Sequence, residues 1–244
     1  MDLSVYEVEA EIEASHWWFA GRRRLLAREL DALGAKQTWR VLDIGSGTGG
    51  NLRLLSERAF AARFGMDSSL AAASLCAKKR LGAVTLGDAT KLPFPDGAFD
   101  LVLAMDVLEH VERDDLAAAE IRRVLTPGGS AIVTVPAFDA LWGPQDDLSH
   151  HLRRYRIGPF CALLEGGGLR LRRAYHFNFI LFFPILVARR LLSAAKVRLR
   201  SENEVNSPAI NAVLKRLFAF DVDWAAKLRL PFGVSILAVA DRAP

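Results

Sequence analysis

Cysteine is scarce in this chain of 244 residues: Cys76 and Cys161 are the two thiols, and they stand far apart. Isolated thiols make neither a metal cluster nor a disulfide framework, so the fold has to rest on an apolar core. Long apolar runs are missing as well. The most apolar stretch, Phe177 to Ala188, has about twelve residues, against the roughly twenty that cross a bilayer. The opening Met1-Asp2-Leu3-Ser4 lacks the basic and then apolar order of a secretory signal, so a cytoplasmic location is expected, with membrane association left open. Acidic residues run short only in the last part. Residues 1–150 carry 16 Lys+Arg and 22 Asp+Glu, whereas 151–244 carry 16 and 6, a balance of +10. That asymmetry points to an anionic partner: a membrane surface, a phosphorylated substrate or nucleic acid. At 26.9 kDa and 51% apolar residues, one α/β domain with an insertion or a small lid is the natural size class.

The most informative stretch is Val41-Leu42-Asp43-Ile44-Gly45-Ser46-Gly47-Thr48-Gly49-Gly50. Its first half reads as a buried parallel strand and its second as a glycine turn, with a helix from Asn51 to Arg58. Strand, glycine turn and helix open a nucleotide-type site in a doubly wound sheet. The spacing Gly45-x-Gly47-x-x-Gly50 satisfies the dinucleotide pattern, but Asp43 beside it would repel a pyrophosphate at the helix N-terminus. It would attract S-adenosylmethionine, which carries a sulfonium and an ammonium and no phosphate. The other role for Asp43, compatible with this one, is to organise the turn through backbone hydrogen bonds.

From Val41 to Gly49 the chain resembles the first motif of the class I (Rossmann-like) S-adenosylmethionine-dependent methyltransferases. Later landmarks follow in register: Gly65-Met66-Asp67, Gly87-Asp88-Ala89, Leu92-Pro93-Phe94, Phe99-Asp100-Leu101-Val102, Leu108-Glu109-His110-Val111 and Leu125-Thr126-Pro127-Gly128-Gly129. They cover about Trp39 to Pro136 and are most similar to the branch that methylates small molecules and lipid-like substrates. The resemblance implies a three-layer α/β/α sandwich around a seven-stranded, mostly parallel sheet in the order 3-2-1-4-5-7-6, its last strand antiparallel. The whole chain would form one methyltransferase domain, with an N-terminal helical cap over residues 1–34.

Cofactor contacts are expected from Asp43, Gly45, Gly47, Gly49, Asp67, Ser68, Asp88, Ala89, Met105 and Arg22. Asp67 ends the second strand about twenty residues past the glycines, where a carboxylate accepts from both ribose hydroxyls; capping the following helix is its competing role. The resemblance assigns Asp88 to the adenine amino group and Ala89 to a backbone contact. In the leader, His16-Trp17-Trp18-Phe19 precedes Gly21-Arg22-Arg23-Arg24, with Gly21 expected to break the helix. Trp17 and Trp18 would exclude water over the acceptor, while Arg22 would hold the cofactor carboxylate or an anionic substrate. The other reading packs those rings on the sheet.

Past the fourth strand, Asp106, Glu109 and His110 stand where the methyl group should emerge. Relatives carry a segment similar to His151-Leu152-Arg153-Arg154-Tyr155 at the substrate pocket, so Arg153, Arg154 and Tyr155 are candidates for binding an anionic head group. His151, His110 and His16 are candidate bases. His150 and His151 make no metal pair, because adjacent ring vectors diverge, and no metal is expected.

Residues 177–231 form a helical insertion between the last two strands, read either as a lid or as a membrane-docking element. Arg189, Ser193, Lys196 and Arg200 fall on one helical face, which over 177–200 suits a peripheral membrane contact. A further amphipathic helix is expected over Ala209–Phe220. The function implied is in-line transfer of a methyl group to a small or lipid-linked, anionic acceptor. Two readings compete: a non-catalytic or RNA-directed relative using the basic C-terminal part, and an NAD(P)-dependent oxidoreductase. No Asn/Asp-Pro-Pro-aromatic signature follows the fourth strand and neither cysteine follows a proline, so nucleic acid is not the expected substrate.

Overall fold

The computed structural model describes residues 12–194 and 207–243. Its strands are β1 (Arg40–Ile44), β2 (Ala62–Asp67), β3 (Ala83–Leu86), β4 (Phe99–Met105), β5 (Leu125–Pro136), β6 (Arg170–Phe177) and β7 (Ser235–Asp241). They form one sheet in the order β3-β2-β1-β4-β5-β7-β6. The pairs from β3 through β5 are parallel, and β7 runs antiparallel to both β5 and β6. This is the order the resemblance implies.

Alternation along the central strands sorts side chains onto the two faces. Leu42, Ile44, Val102, Ala104, Ala131 and Val133 join one core cluster, while Val41, Leu101, Leu103 and Ile132 join the other. Helices α4 (Asp114–Val124) and α6 (Ile157–Gly166) cover the first face through Ala117, Ile121, Phe160 and Leu164. The second face is covered by α1 (Trp17–Leu33), α2 (Gly50–Glu57) and α3 (Leu70–Lys78). Both faces of the middle strands are therefore dry, which suits their continuous apolar sequences.

The insertion holds two helices among the described residues, α7 (Phe182–Ala194) and α8 (Pro208–Leu228). Helix α8 is longer than the sequence implies, and it packs along α1. Its Phe218, Val222 and Ala225 enter the second core cluster with Leu25, Leu26 and Leu30. Buried Asp221 accepts the backbone N–H groups of Asn178 (2.6 Å) and Ile180 (2.9 Å), tying α8 to the end of β6.

Gly21 does not break the leader. Helix α1 runs through it unbroken, because glycine is needed there for closeness: a Cβ would lie 2.1 Å from the Phe218 ring. Residues 1–11 of the expected helical leader lie outside the described residues, as do Lys196 and Arg200. Arg189, expected on a solvated basic face, is instead buried against the body of the domain. Apolar side chains instead face outward: Phe183, Val187 and Leu191 on α7, and Ile210, Val213, Phe220 and Trp224 on α8. Among the described residues no helix is long and apolar enough to cross a membrane.

Candidate functional site

A cavity of about 880 Å³ opens at the carboxyl ends of the strands, where ligands gather in open α/β sheets. Its floor is the glycine turn between β1 and α2. Gly45, Gly47 and Gly49 hold φ of +66°, +50° and +92°, in the left-handed region that glycine takes without a Cβ penalty. A Cβ on Gly47 would meet no atom closer than 4.0 Å, so the space over that residue is open for a ligand to approach the backbone. Asp67 closes the turn from the neighbouring strand. Its Oδ2 accepts from the Gly47 N–H (2.9 Å) and its Oδ1 from the Ser69 N–H (2.9 Å).

Asp43 lies beneath the turn and does not line the cavity. It is fully buried; Oδ1 accepts from Asn51 Nδ2 (3.0 Å), and Oδ2 has no hydrogen-bond partner. Burial pushes its carboxyl up to about 7, against the pull of the Asn51 hydrogen bond and the Arg22 charge. An orphaned buried carboxylate oxygen beside a bare turn fits a cationic ligand better than a phosphate. The folded protein keeps this proton between the ordinary carboxylate range and pH 7, while the unfolded chain releases it. Stability contributed by the protonated form is therefore present below pH 4 and lost as pH rises toward 7. Asp43→Asn should remove that loss, so its melting temperature relative to the parent should climb between about pH 4 and 7 and level off above. The ceiling is on the order of a few kcal/mol. A difference in melting temperature that stays constant across that range would refute the account.

The leader is stapled to the same turn from outside. Buried Glu13 accepts from the Thr48 hydroxyl, from Lys79 Nζ (2.6 Å) and from Arg53 (3.3 Å). This sets the start of α1 over the cavity. His16 caps that helix, its ring accepting from the Trp18 N–H, and it does not line the cavity. Trp17 and Trp18 do, braced from behind by Phe218, on which Trp18 stacks at 5.4 Å. Arg22 reaches down from the same helix turn to pair with Asp106 at the end of β4. Asp106 takes a left-handed φ of +59° and also accepts from Thr134 Oγ1 (3.0 Å).

Ser68, Asp88, Ala89 and Met105 line the cavity too, and Asp88 Oδ1 is occupied by the Thr90 N–H and hydroxyl at 2.8 Å. Gly49 lies behind the wall, packed near Cys76.

The opposite end is polar and is organised by a residue that carried no sequence expectation. Asp146, on the short helix α5 (Pro144–Leu148), is buried. Arg154 grips it through two bonds, Nε to Oδ1 at 2.8 Å and a terminal nitrogen to Oδ2 at 3.0 Å. Arg189 lies 3.3 Å from Oδ2, and Nδ1 of His151 2.8 Å from Oδ1. Burial alone would raise the Asp146 carboxyl; the His151 hydrogen bond and the two guanidinium charges outweigh it and hold it at about 2. A carboxylate at Nδ1 fixes the tautomer, so His151 presents the lone pair of Nε2 toward Glu109, 4.0 Å away. His110 stands edge-on to the same ring, centroids 4.7 Å apart, and burial, then His151, brings it down to about 4. Glu109 is fully buried, and burial followed by the Asp106 charge pushes its carboxyl well up.

Arg153 and Tyr155 are not brought into the cavity. Both hold Asp114 at the start of α4, Arg153 at 3.0 Å and the Tyr155 hydroxyl at 2.8 Å. Of the three candidate bases, His110 and His151 therefore meet at one place and His16 does not. One signal for Asp146 did exist in the sequence. Gly143-Pro144-Gln145-Asp146 sets a proline at a helix start and an acid two residues on, and the Gly143 N–H donates to that acid at 2.8 Å. Glu13 gave no comparable signal, since Glu7, Glu9, Glu11 and Glu13 together read equally well as the acidic start of a solvated helix.

Residues 42–133 match the family model described as a methyltransferase domain. Among curated proteins, the chain is 37% identical over 131 residues to a demethylmenaquinone methyltransferase of Beutenbergia cavernae, covering 50% of this chain and 54% of that one. It is 32% identical over 145 residues to a ubiquinone/menaquinone biosynthesis C-methyltransferase of Vibrio vulnificus, covering 54% and 56%. A rice protein named as a probable tocopherol O-methyltransferase is 36% identical over 100 residues, 38% of this chain and 28% of that one. The match thus spans between 28% and 56% of these relatives' own lengths. Among solved structures, phosphoethanolamine N-methyltransferase 2 of Haemonchus contortus in complex with S-adenosyl-L-methionine superposes with a TM-score of 0.60 at 18% identity, over 90% of this chain and 52% of that one. The cyclase SpnF superposes at 0.62 with 22% identity, over 91% and 80%. At such identities the structures speak for the fold alone.

Proposed function

We propose that this chain, which carries a methyltransferase domain on the class I Rossmann-like fold, is an S-adenosylmethionine-dependent methyltransferase acting on a small acceptor of the quinone or phenol kind. The observation that carries the reading is one cavity with two unlike ends. A bare glycine turn closed by Asp67 lies at one, and an imidazole oriented by a buried carboxylate lies at the other.

S-adenosylmethionine supplies an electrophilic methyl group on a positively charged sulfur. The chain's own residues then have to bind, align and keep dry, as expected of an in-line displacement. Asp67 offers its remaining lone pairs to ribose hydroxyls, Asp88 borders the adenine side, and Asp43, raised by burial beneath the turn, is drawn to its charged form when a cation binds above it. Trp17 and Trp18 roof the cavity against water, and Phe19, Leu116 and Ile185 add apolar wall for the acceptor. His151 turns the Nε2 lone pair toward the acceptor's end.

The acceptor is proposed from the names of the relatives and from the charges in the cavity. The expectation of an anionic acceptor rested on Arg22, on His151, Arg153, Arg154 and Tyr155, and on the basic balance of residues 151–244. Arg153 is paired with Asp114, Arg154 with Asp146 and Arg22 with Asp106, so these cations are already answered by carboxylates of the chain. That balance favours an acceptor without negative charge at its reacting end.

Calorimetric titration of the purified chain tests the donor. S-adenosylhomocysteine should bind with one-site stoichiometry, and nicotinamide dinucleotides should produce no heat of binding. Tight dinucleotide binding with no response to S-adenosylhomocysteine would overturn the reading.

A further inference from the structure

Glu109 is a carboxylate with no exposure and no hydrogen bond to either oxygen. A buried polar group left in that state is destabilising, so a partner that answers it is to be looked for. Its neighbours in space are two imidazoles. One donor atom from each of Glu109, His110 and His151 lies within 4.8 Å of the other two. The backbone fixes the arrangement: the Leu152 N–H donates to the Glu109 carbonyl at 2.8 Å, which sets His151 beside the carboxylate.

We propose that Glu109, His110 and His151 hold a divalent transition-metal ion of the Zn²⁺ or Co²⁺ class. Two donors bound to one such ion at about 2.0–2.2 Å stand roughly 3–4 Å apart. The separation of 4.0 Å between His151 Nε2 and Glu109 Oε1 is too long for a hydrogen bond and close to what a shared ion requires. The outer partner is already built. Asp146 accepts from Nδ1 of His151 and so leaves Nε2 bare, the carboxylate–histidine arrangement that orients metal-binding imidazoles. Two nitrogens and one carboxylate oxygen suit a borderline divalent ion, with the remaining positions open to the cavity.

The chemical consequence rests on the methyl-transfer reading; the ion site itself does not. An acceptor hydroxyl bound at an open position would lose its proton to water, as ion-bound oxygen does at neutral pH. The resulting oxygen lone pair forms the new O–CH₃ bond while the C–S bond breaks. Its electron pair returns to sulfur as a neutral thioether. The substrate class is thereby narrowed to acceptors with an ionisable hydroxyl.

The full chain, stripped with a chelator and dialysed, is titrated with Co²⁺ and Zn²⁺ by calorimetry and visible absorption. One equivalent should bind, with a cobalt ligand-field band. Glu109→Gln and His110→Asn should each weaken binding at least ~10-fold, while His150→Asn on the neighbouring exposed residue should leave it unchanged. A parent protein that binds no ion, or variants that bind as the parent does, would overturn the proposal. Should a variant fail to fold, electron paramagnetic resonance of the Cu²⁺-loaded parent decides. Two coupled imidazole nitrogens support the site, and one or none overturns it. S-adenosylhomocysteine is titrated into the same samples. Its binding without an ion leaves the methyl-transfer reading intact and defeats this one; ion binding without it does the reverse.

Discussion

Replacing Asp146 by alanine should cost the fold about 3–5 kcal/mol, the largest loss expected from any single substitution at the site. The reason is charge rather than volume. Asp146 is 1% exposed, and Arg154 and Arg189, which converge on it, are 8% exposed each. Without the carboxylate both guanidinium groups lose a buried counter-charge, and His151 and the Gly143 N–H lose their acceptor. For a domain of this size the melting temperature should fall by roughly 10 °C. Its exposed neighbour Asp147, whose side chain accepts from Trp142 Nε1, gives the control: Asp147→Ala should change stability by under about 1 kcal/mol. Because the Asp146 carboxyl is held near 2, its contribution is present above the ordinary carboxylate range and lost as pH falls toward 2. Urea unfolding at pH 7 is the measurement. A loss below about 1 kcal/mol for Asp146→Ala would mean that water reaches these cations, and that the polar end is not the rigid body described above.

The second large effect is on binding. Asp67→Ala should weaken S-adenosylhomocysteine by about 10²- to 10⁴-fold, about 3–5 kcal/mol. Two mechanisms add. The side chain is 5% exposed, and each oxygen already accepts a backbone N–H, one of them from Gly47 in the turn itself. Losing it frees the turn before any ligand arrives. In the proposed complex the same oxygens also accept from ribose hydroxyls, and hydrogen bonds to a charged group contribute about 1.5–3 kcal/mol each. Asp67→Asn keeps one acceptor and should fall between the parent and the alanine variant. An affinity within threefold of the parent in the alanine variant would remove Asp67 from the ligand's contacts and return it to a capping role.

Much of the framework could be read locally. Val41 to Gly50 gives a strand and then a turn because apolar β-formers and glycines dictate those conformations whatever surrounds them. The sheet order follows from motifs that recur in register along the chain. Asp67 was legible as the end of a strand that local pattern sets, while Asp88, just past the next strand, was singled out by the resemblance. Boundaries shifted by a residue, as at α2, which runs Gly50–Glu57 rather than Asn51 to Arg58.

What local pattern could not decide is what meets across distance. Gly21 looked like a helix breaker, and only the approach of Phe218, nearly two hundred residues later, shows that it is a contact point. Arg189 looked like one cation on a basic face. It turns inward because Asp146, 43 positions earlier, is buried and needs positive charge. His151 was read beside His150, its neighbour in the chain, yet its chemistry comes from Asp146 on one nitrogen and from Glu109 and His110 across the cavity. Propensity and periodicity act over a few residues. Charge compensation and close packing act through space, so the elements of this chain were written in its sequence, and the partners within its cavity were settled only by the way those elements pack.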